Sequence, residues 1–284
     1  MAIRQQNLFF FLLMGVWLVM ASCGGDAKKD YPKVQIDSVA LGTALPVGSS
    51  AGKASCCVAI RFDYVRACGN DEAMPRKMNT ALLGELLGAG YGRSGVRQAL
   101  DSFSLDYKKR YRQEMDQLRA FSAEYSTPMP EEQAYSIELD NRLVYNDCGI
   151  ATFRCIQHES AAGAEAETRV RFLNFDVPTG RLLTLDDLFV EGYEERIDAL
   201  LLQKMLELNK VKTVQELEEL GYFTSSSLYP STNFCIEGRK LLFVYNPDDG
   251  IGPYDADVAT VVPVELDDLS LIFSANSPLR RVVE

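Results

Sequence analysis

Asn174-Phe175-Asp176-Val177-Pro178-Thr179-Gly180-Arg181-Leu182-Leu183-Thr184-Leu185-Asp186-Asp187-Leu188-Phe189 decides the fold class, because the chain changes periodicity within this one run. Its first residues close a strand expected over 168–177, and Pro178-Thr179-Gly180 is a turn. Thr184 followed by Asp187 then reads as a capping box, with Asp in place of the usual Glu, opening a short helix over 186–189. On the N-terminal side lie two more strand candidates, 134–145 and 150–158. The small residues Ser160-Ala161-Ala162-Gly163-Ala164 predict a hairpin between the last two strands. On the C-terminal side, Ile197, Leu200, Leu201, Met205 and Leu208 have helical spacing. Thr213-Val214-Gln215-Glu216 is a second capping box, and Gly221 supplies the stop for that helix. Strands over 233–236, 240–245 and 258–264 follow, then a helical turn at 266–271 and a polar tail.

Upstream the pattern repeats in miniature. Loose alternation over 34–45 and cleaner alternation over 54–65, where Val58, Ile60 and Phe62 oppose Cys57, Ala59 and Arg61, predict two strands. Met78, Leu82, Leu83, Leu86 and Leu87 predict a helix ended by Gly88. Val96, Leu100, Phe103, Tyr107 and Tyr111 predict a second, with Ser94 as N-cap, running to Tyr125 ahead of the Thr127-Pro128-Met129-Pro130 break. The expected fold is therefore α+β: a small strand-helix N-terminal unit over 31–128, then an antiparallel sheet packed by helices over 129–284.

The first residues read as an address. Arg4 precedes an apolar run over 8–20, too short for a stop-transfer helix, so 1–22 is expected to be a signal peptide. Ala21-Ser22-Cys23 resembles the lipobox of bacterial lipoproteins, although Met20 stands where that pattern prefers Leu; a plain secretory signal is the alternative. On the lipoprotein reading Cys23 becomes the first mature residue and is acylated, residues 23–30 form a tether, and the membrane is touched only through that lipid. Gly24 at the following position is similar to lipoproteins sent to the outer membrane.

Of the 284 residues 47% are hydrophobic and 24% charged, which excludes disordered and fibrous classes. A formal charge of -11, becoming -12 when Arg4 leaves with the signal, repels phosphate backbones, so nucleic acid is not an expected partner. His158 is the only histidine and no CxxC pair exists, so neither a metal site nor a cofactor is expected. Besides Cys23 there are six cysteines: Cys56, Cys57, Cys68, Cys148, Cys155 and Cys235. An even number in an exported chain predicts disulfides or buried thiols, with the connectivity open. Cys56 and Cys57 are adjacent in a strand and should point to opposite faces.

The run 174–189 resembles a segment of the RsiV-like extracytoplasmic domain, a family found in lysozyme-sensing anti-sigma factors and beside the catalytic domain of PdaC-type peptidoglycan deacetylases. Phe243-Val244-Tyr245-Asn246-Pro247 followed by Gly252-Pro253-Tyr254 is similar to a second segment of that family, ahead of its last strand. The resemblance covers residues 31–271. Two departures stand out: the family's Gly-Gly-Ala-His-Gly turn is Ala162-Gly163-Ala164-Glu165-Ala166 here, and the stretch before the apolar run is too short for a sigma-factor-binding part. The resemblance therefore implies a stand-alone envelope binding module whose partner is a basic muramidase-like protein or a peptidoglycan fragment.

Catalytic motifs are thin. A nucleophilic triad could use only His158, which sits in a predicted strand, and Gly90-Tyr91-Gly92-Arg93-Ser94-Gly95 joins two helices instead of following a strand, so it reads as a turn. A carboxylate-based cell-wall glycan hydrolase is the rival function, since acids are abundant and their spacing belongs to the fold. The expected binding residues are Asp248, Asp249, Pro253, Tyr254, Asp255 and Asp257, an acidic loop between two strands with Tyr254 as its amphipathic anchor. A solvated connection is the bland alternative, and EF-hand spacing is absent.

Overall fold

The computed structural model describes residues 30–46, 55–67, 72–126, 134–161, 165–223, 228–254 and 256–284. In chain order these form β1 (Ile36–Pro46), β2 (Ser55–Val65), α1 (Ala73–Leu87), α2 (Val96–Tyr125), β3 (Ala134–Asp147), β4 (Ile150–Ser160), β5 (Glu167–Asp176) and β6 (Arg181–Leu182). Then come α3 (Leu185–Leu188), α4 (Glu194–Asn209), α5 (Val214–Glu219), β7 (Phe234–Glu237), β8 (Lys240–Tyr245), β9 (Thr260–Glu265), α6 (Leu266–Leu269) and α7 (Arg280–Val283). The class is α+β.

Among the described residues the strands make a six-stranded sheet in the order β1-β2-β3-β4-β5-β6 and a three-stranded sheet β7-β8-β9. Neighbours are antiparallel except β2 and β3, which run parallel with Val58 opposite Ile137 and Ile60 opposite Leu139. Parallel neighbours need a crossover, and α1 with α2 supplies it. The alternation expected in β2 holds: Val58, Ile60 and Phe62 are buried, whereas Cys57, Ala59 and Arg61 are exposed. Met78 and Leu82 of α1 and Leu100 and Tyr111 of α2 share that buried face.

Strands β3 to β5 complete the same core through Ile137, Leu139, Phe153 and Phe175. Phe153 and Phe175 meet edge to face with ring centroids 6.0 Å apart. Tyr31–Glu284 is accordingly one compact unit. The division expected at 128/129 is corrected, because the strands after it finish the core begun before it; the proline break itself lies outside the described residues. A second core forms around Ile197, Leu201 and Met205 of α4, Phe243 and Tyr245 of β8, and Val262 and Val264 of β9.

Three smaller expectations also change. Gly95, not Ser94, is the N-cap of α2, and no side chain caps it. The residues after 271 are no polar tail: Phe273 and Leu279 enter the second core, and Arg281 of α7 forms a largely buried ion pair with Asp176. Of the two cysteine expectations the buried thiol holds: Cys56, Cys57, Cys148, Cys155 and Cys235 are all free, with Cys56, Cys155 and Cys235 buried, so no disulfide forms among these described cysteines. Topology explains it, since β3 separates Cys56 on β2 from Cys155 on β4. Two strand spacings, about 9.5 Å, exceed the Cα separation a disulfide spans. Cys235 lies in the other sheet. Burial pushes the Cys155 and Cys235 thiols up to about 12, which keeps them protonated and unreactive.

Candidate functional site

The run Asn174 to Phe189 joins the two halves of the fold. Asn174, 2% exposed, accepts the Thr152 hydroxyl at 2.8 Å through Oδ1 and donates Nδ2 to the Phe234 carbonyl at 2.7 Å, so β4, β5 and β7 meet on one amide. Asp176 accepts the Thr179 hydroxyl at 2.6 Å inside the turn, besides its pair with Arg281. Thr184 and Asp187 form the expected reciprocal capping box, although α3 starts one residue earlier than predicted.

Burial works against the Asp187 charge, but the Thr184 amide and hydroxyl and the Arg181 guanidinium outweigh it and hold the carboxyl below its usual range. A carboxyl depressed in the folded state contributes stability above its unfolded value, about pH 4, and loses it as pH falls through the lower folded value. Asp187→Asn should therefore melt below the wild type near neutrality, and the gap should close on acidification through pH 4. A gap independent of pH in parallel thermal melts would contradict this account of the cap.

Beyond Phe175 the outer edge of β5 has no strand partner among the described residues, since β6 pairs only with Phe175 and Asp176. Two asparagine side chains take the place of one. The Val170 amide donates to Asn246 Oδ1 at 2.8 Å, and the Asn246 Nδ2 returns to the Val170 carbonyl at 3.2 Å. The Phe172 amide donates to Asn233 Oδ1 at 2.8 Å, and Asn233 Nδ2 reaches the same Val170 carbonyl at 2.7 Å. An open strand edge is a template for unwanted pairing, and these amides close it. They also fix the root of the acidic loop, because Asn246 is its first residue.

From that root the loop divides. Asp248 pairs with Arg169 at 2.9 Å, and Asp249 accepts the Asn246 amide at 2.7 Å, closing a short 3-10 turn. Burial pushes the Asp249 carboxyl up, partly offset by that amide. Ile251 and Gly252 are buried and Pro253 half-buried. At the apex Tyr254 is 79% exposed and Val258 72%, with Asp257 exposed between them. The structure thus separates the predicted residues into a structural root, Asp248 and Asp249, and an exposed tip, Tyr254 and Asp257. Asp255, like Cys23 and Cys68, lies outside the described residues.

The tip is seated on the end of α5. The Tyr254 amide donates to the Gly221 carbonyl at 3.1 Å, and a methyl group on Gly221 would sit 2.7 Å from the tyrosine ring. Gly221 also has φ +89°, a conformation that L side chains rarely adopt. Gly221→Ala should cost about 1–2 kcal/mol and displace the ring. An unchanged melting temperature would show that the tip is not held there.

Beside the root lies a cleft of about 340 Å³, lined by Arg169, Arg171, Glu85, Tyr229, Thr232 and Asn233 among others. Arg171 is engaged by Glu85 at 3.2 Å and Arg169 by Glu167 at 2.9 Å, so the cleft is polar with its charges paired. Sequence reading missed it. Alternating arginines on one strand face were the available signal, but the segment 228–233 that forms the opposite wall carries no periodicity. His158 is exposed in β4 with Nδ1 2.7 Å from the Thr168 hydroxyl, away from this cleft. Among the described residues no group of three or more His, Cys, Asp and Glu is placed to hold a metal ion.

No family model matches the sequence, and no curated protein matches it either. Solved structures do. A DUF3298 family member from Bacteroides fragilis superposes with a TM-score of 0.79 at 23% identity, covering 88% of this chain and 97% of its own. This chain has the DUF3298 fold. A second DUF3298 protein, from Pseudomonas aeruginosa, gives a TM-score of 0.58 at 17% identity over 87% and 97% of the two chains. In the DUF3298 fold as built here, the residues carrying the sequence motifs, Asn174, Asp176, Asp187 and Asn246, are joints of the scaffold. The loop tip, with Tyr254, Asp257 and Val258, is exposed instead.

Proposed function

We propose that this chain is a non-catalytic binding module of the cell envelope, anchored by a lipid on Cys23 to the outer membrane, whose partner is a basic muramidase-like protein. The observation that carries the reading is the exposed apex of Tyr254, Asp257 and Val258 on a rigidly rooted loop. Large amphipathic rings are enriched at interface centres, and a mature chain of net charge -12, counted without Arg4, steers a basic protein toward itself. The resemblance to the RsiV-like domain supports the class of partner. A peptidoglycan fragment is the alternative ligand, and the cleft beside the loop root, whose arginines are already held by Glu85, Glu167 and Asp248, is where it would sit.

Affinity capture with residues 27–284, from envelope extract and with purified lysozymes and muropeptides as separate arms, tests the partner. Retention of a lysozyme is the expected result, and retention of muropeptides alone would move the site to the cleft. The anchor has its own test: in cells fed labelled fatty acid the protein should incorporate the label and partition into detergent, and Cys23→Ala should lose both. Label that persists in the variant would reject the anchor and leave the binding reading standing.

A further inference from the structure

We propose that a pocket between α4, α5 and the segment at Phe223 binds an alkyl chain that ends in an ammonium or guanidinium group. The pocket measures about 320 Å³, with apolar walls from Leu202, Val214, Phe223 and Leu228 and two carboxylates, Asp198 and Glu218. The Oδ1 of Asp198 is buried without a hydrogen-bond partner. Burial pushes this carboxyl up, and the charges that act on it, Glu194 and Glu195 one turn earlier on α4, are negative as well. Asp198 as a whole is half-buried, and with Glu218 it gives the pocket a negative charge that an entering cation would offset.

The walls give the other half of the specificity. Phe223 holds φ +59°, an uncommon conformation for a bulky side chain, with its amide 3.3 Å from the Ile251 carbonyl. Backbone held in such a region collects at ligand sites, and here it belongs to a residue whose side chain is a pocket wall. An alkyl chain is matched by those walls and a cationic head by the two acids; a neutral head forfeits the second match and an anionic one is repelled. The cation could be a lysine or arginine side chain of another protein or a free alkylamine, the chemistry being the same. This site goes beyond the partner reading and does not depend on it.

Residues 27–284 retain the whole compact unit and suit a titration followed by amide shifts in nuclear magnetic resonance. The probes are n-hexylammonium, n-hexanol, hexanoate and a lysine blocked at both backbone ends. Hexylammonium should shift the Ala199, Leu202 and Glu218 amides saturably, hexanol should bind about tenfold more weakly, and hexanoate should not bind. Asp198→Asn, nearly isosteric and relieved of an uncompensated charge, should stay folded and bring hexylammonium down to the affinity of hexanol. Phe223→Gly should weaken both. Shifts of the same amides by the blocked lysine would support a protein side chain as the source, and shifts by hexylammonium alone a free amine. Absence of saturable shifts with either cation, or hexylammonium affinity unchanged in folded Asp198→Asn, would overturn the proposal.

Discussion

Asn174→Leu is expected to destabilise the fold by about 3 kcal/mol, although leucine keeps the branched layout and heavy-atom count of the side chain. The change strands two buried groups, the Phe234 carbonyl and the Thr152 hydroxyl, each of which loses a partner at 2.7–2.8 Å. A buried polar group left unsatisfied costs about 1–3 kcal/mol, against a smaller apolar gain from the leucine. Urea denaturation should show a lower midpoint with an unchanged slope. Adding Thr152→Val removes one stranded group, so the double variant should be more stable than the two single losses summed. A loss under about 1 kcal/mol would mean that Asn174 does not hold the sheets together.

The second large effect concerns binding instead of folding. Tyr254→Ala should leave the melting temperature unchanged, because the ring is 79% exposed, and should speed dissociation of a basic muramidase about 30-fold, as loss of a central aromatic anchor does. Charge neutralisation should act differently, and the structure sets which aspartates are suitable. Asp249 closes the turn at the loop root, so Asp249→Asn should itself cost about 1 kcal/mol and is not a clean surface change. Asp257→Asn at the tip is clean, and Asp248→Asn removes only an exposed pair with Arg169.

Much of the fold was legible because periodicity reports burial directly. The strands β2, β4, β5 and β8, the helix α2 to Tyr125, the capping box at Thr184 and the N-cap at Thr213 follow from patterns confined to one element; Glu216 reaches the Lys212 amide and not that of Thr213, so the second box is only half formed. The parallel pairing of β2 with β3 did not, since nothing within either strand states which edge it joins. The C-terminal docking of Phe273, Leu279 and Arg281 was missed for a related reason: two isolated apolar positions in a polar stretch carry no period, and Asp176, the partner of Arg281, is 105 residues away.

The site was legible in part. Position between strands and the cluster of aspartates, prolines and glycines marked the loop 246–257 as a candidate, and its tip is exposed. What sequence could not separate was root from tip. Asp248, Asp249 and Asp257 look alike as letters, and only the fold places the first two against Arg169 and the Asn246 amide. The motif asparagines were likewise invisible as joints, because an amide that replaces a strand partner leaves no pattern.

Surface plasmon resonance of immobilised residues 27–284 against a lysozyme at low and physiological salt, run beside Tyr254→Ala and the Asp248→Asn, Asp257→Asn pair, tests the central claim most directly. The account predicts saturable binding whose association slows as salt rises, slower and less salt-sensitive association in the aspartate pair, and faster dissociation in Tyr254→Ala alone. Absence of saturable binding, or rates identical to wild type in both folded variants, would contradict it.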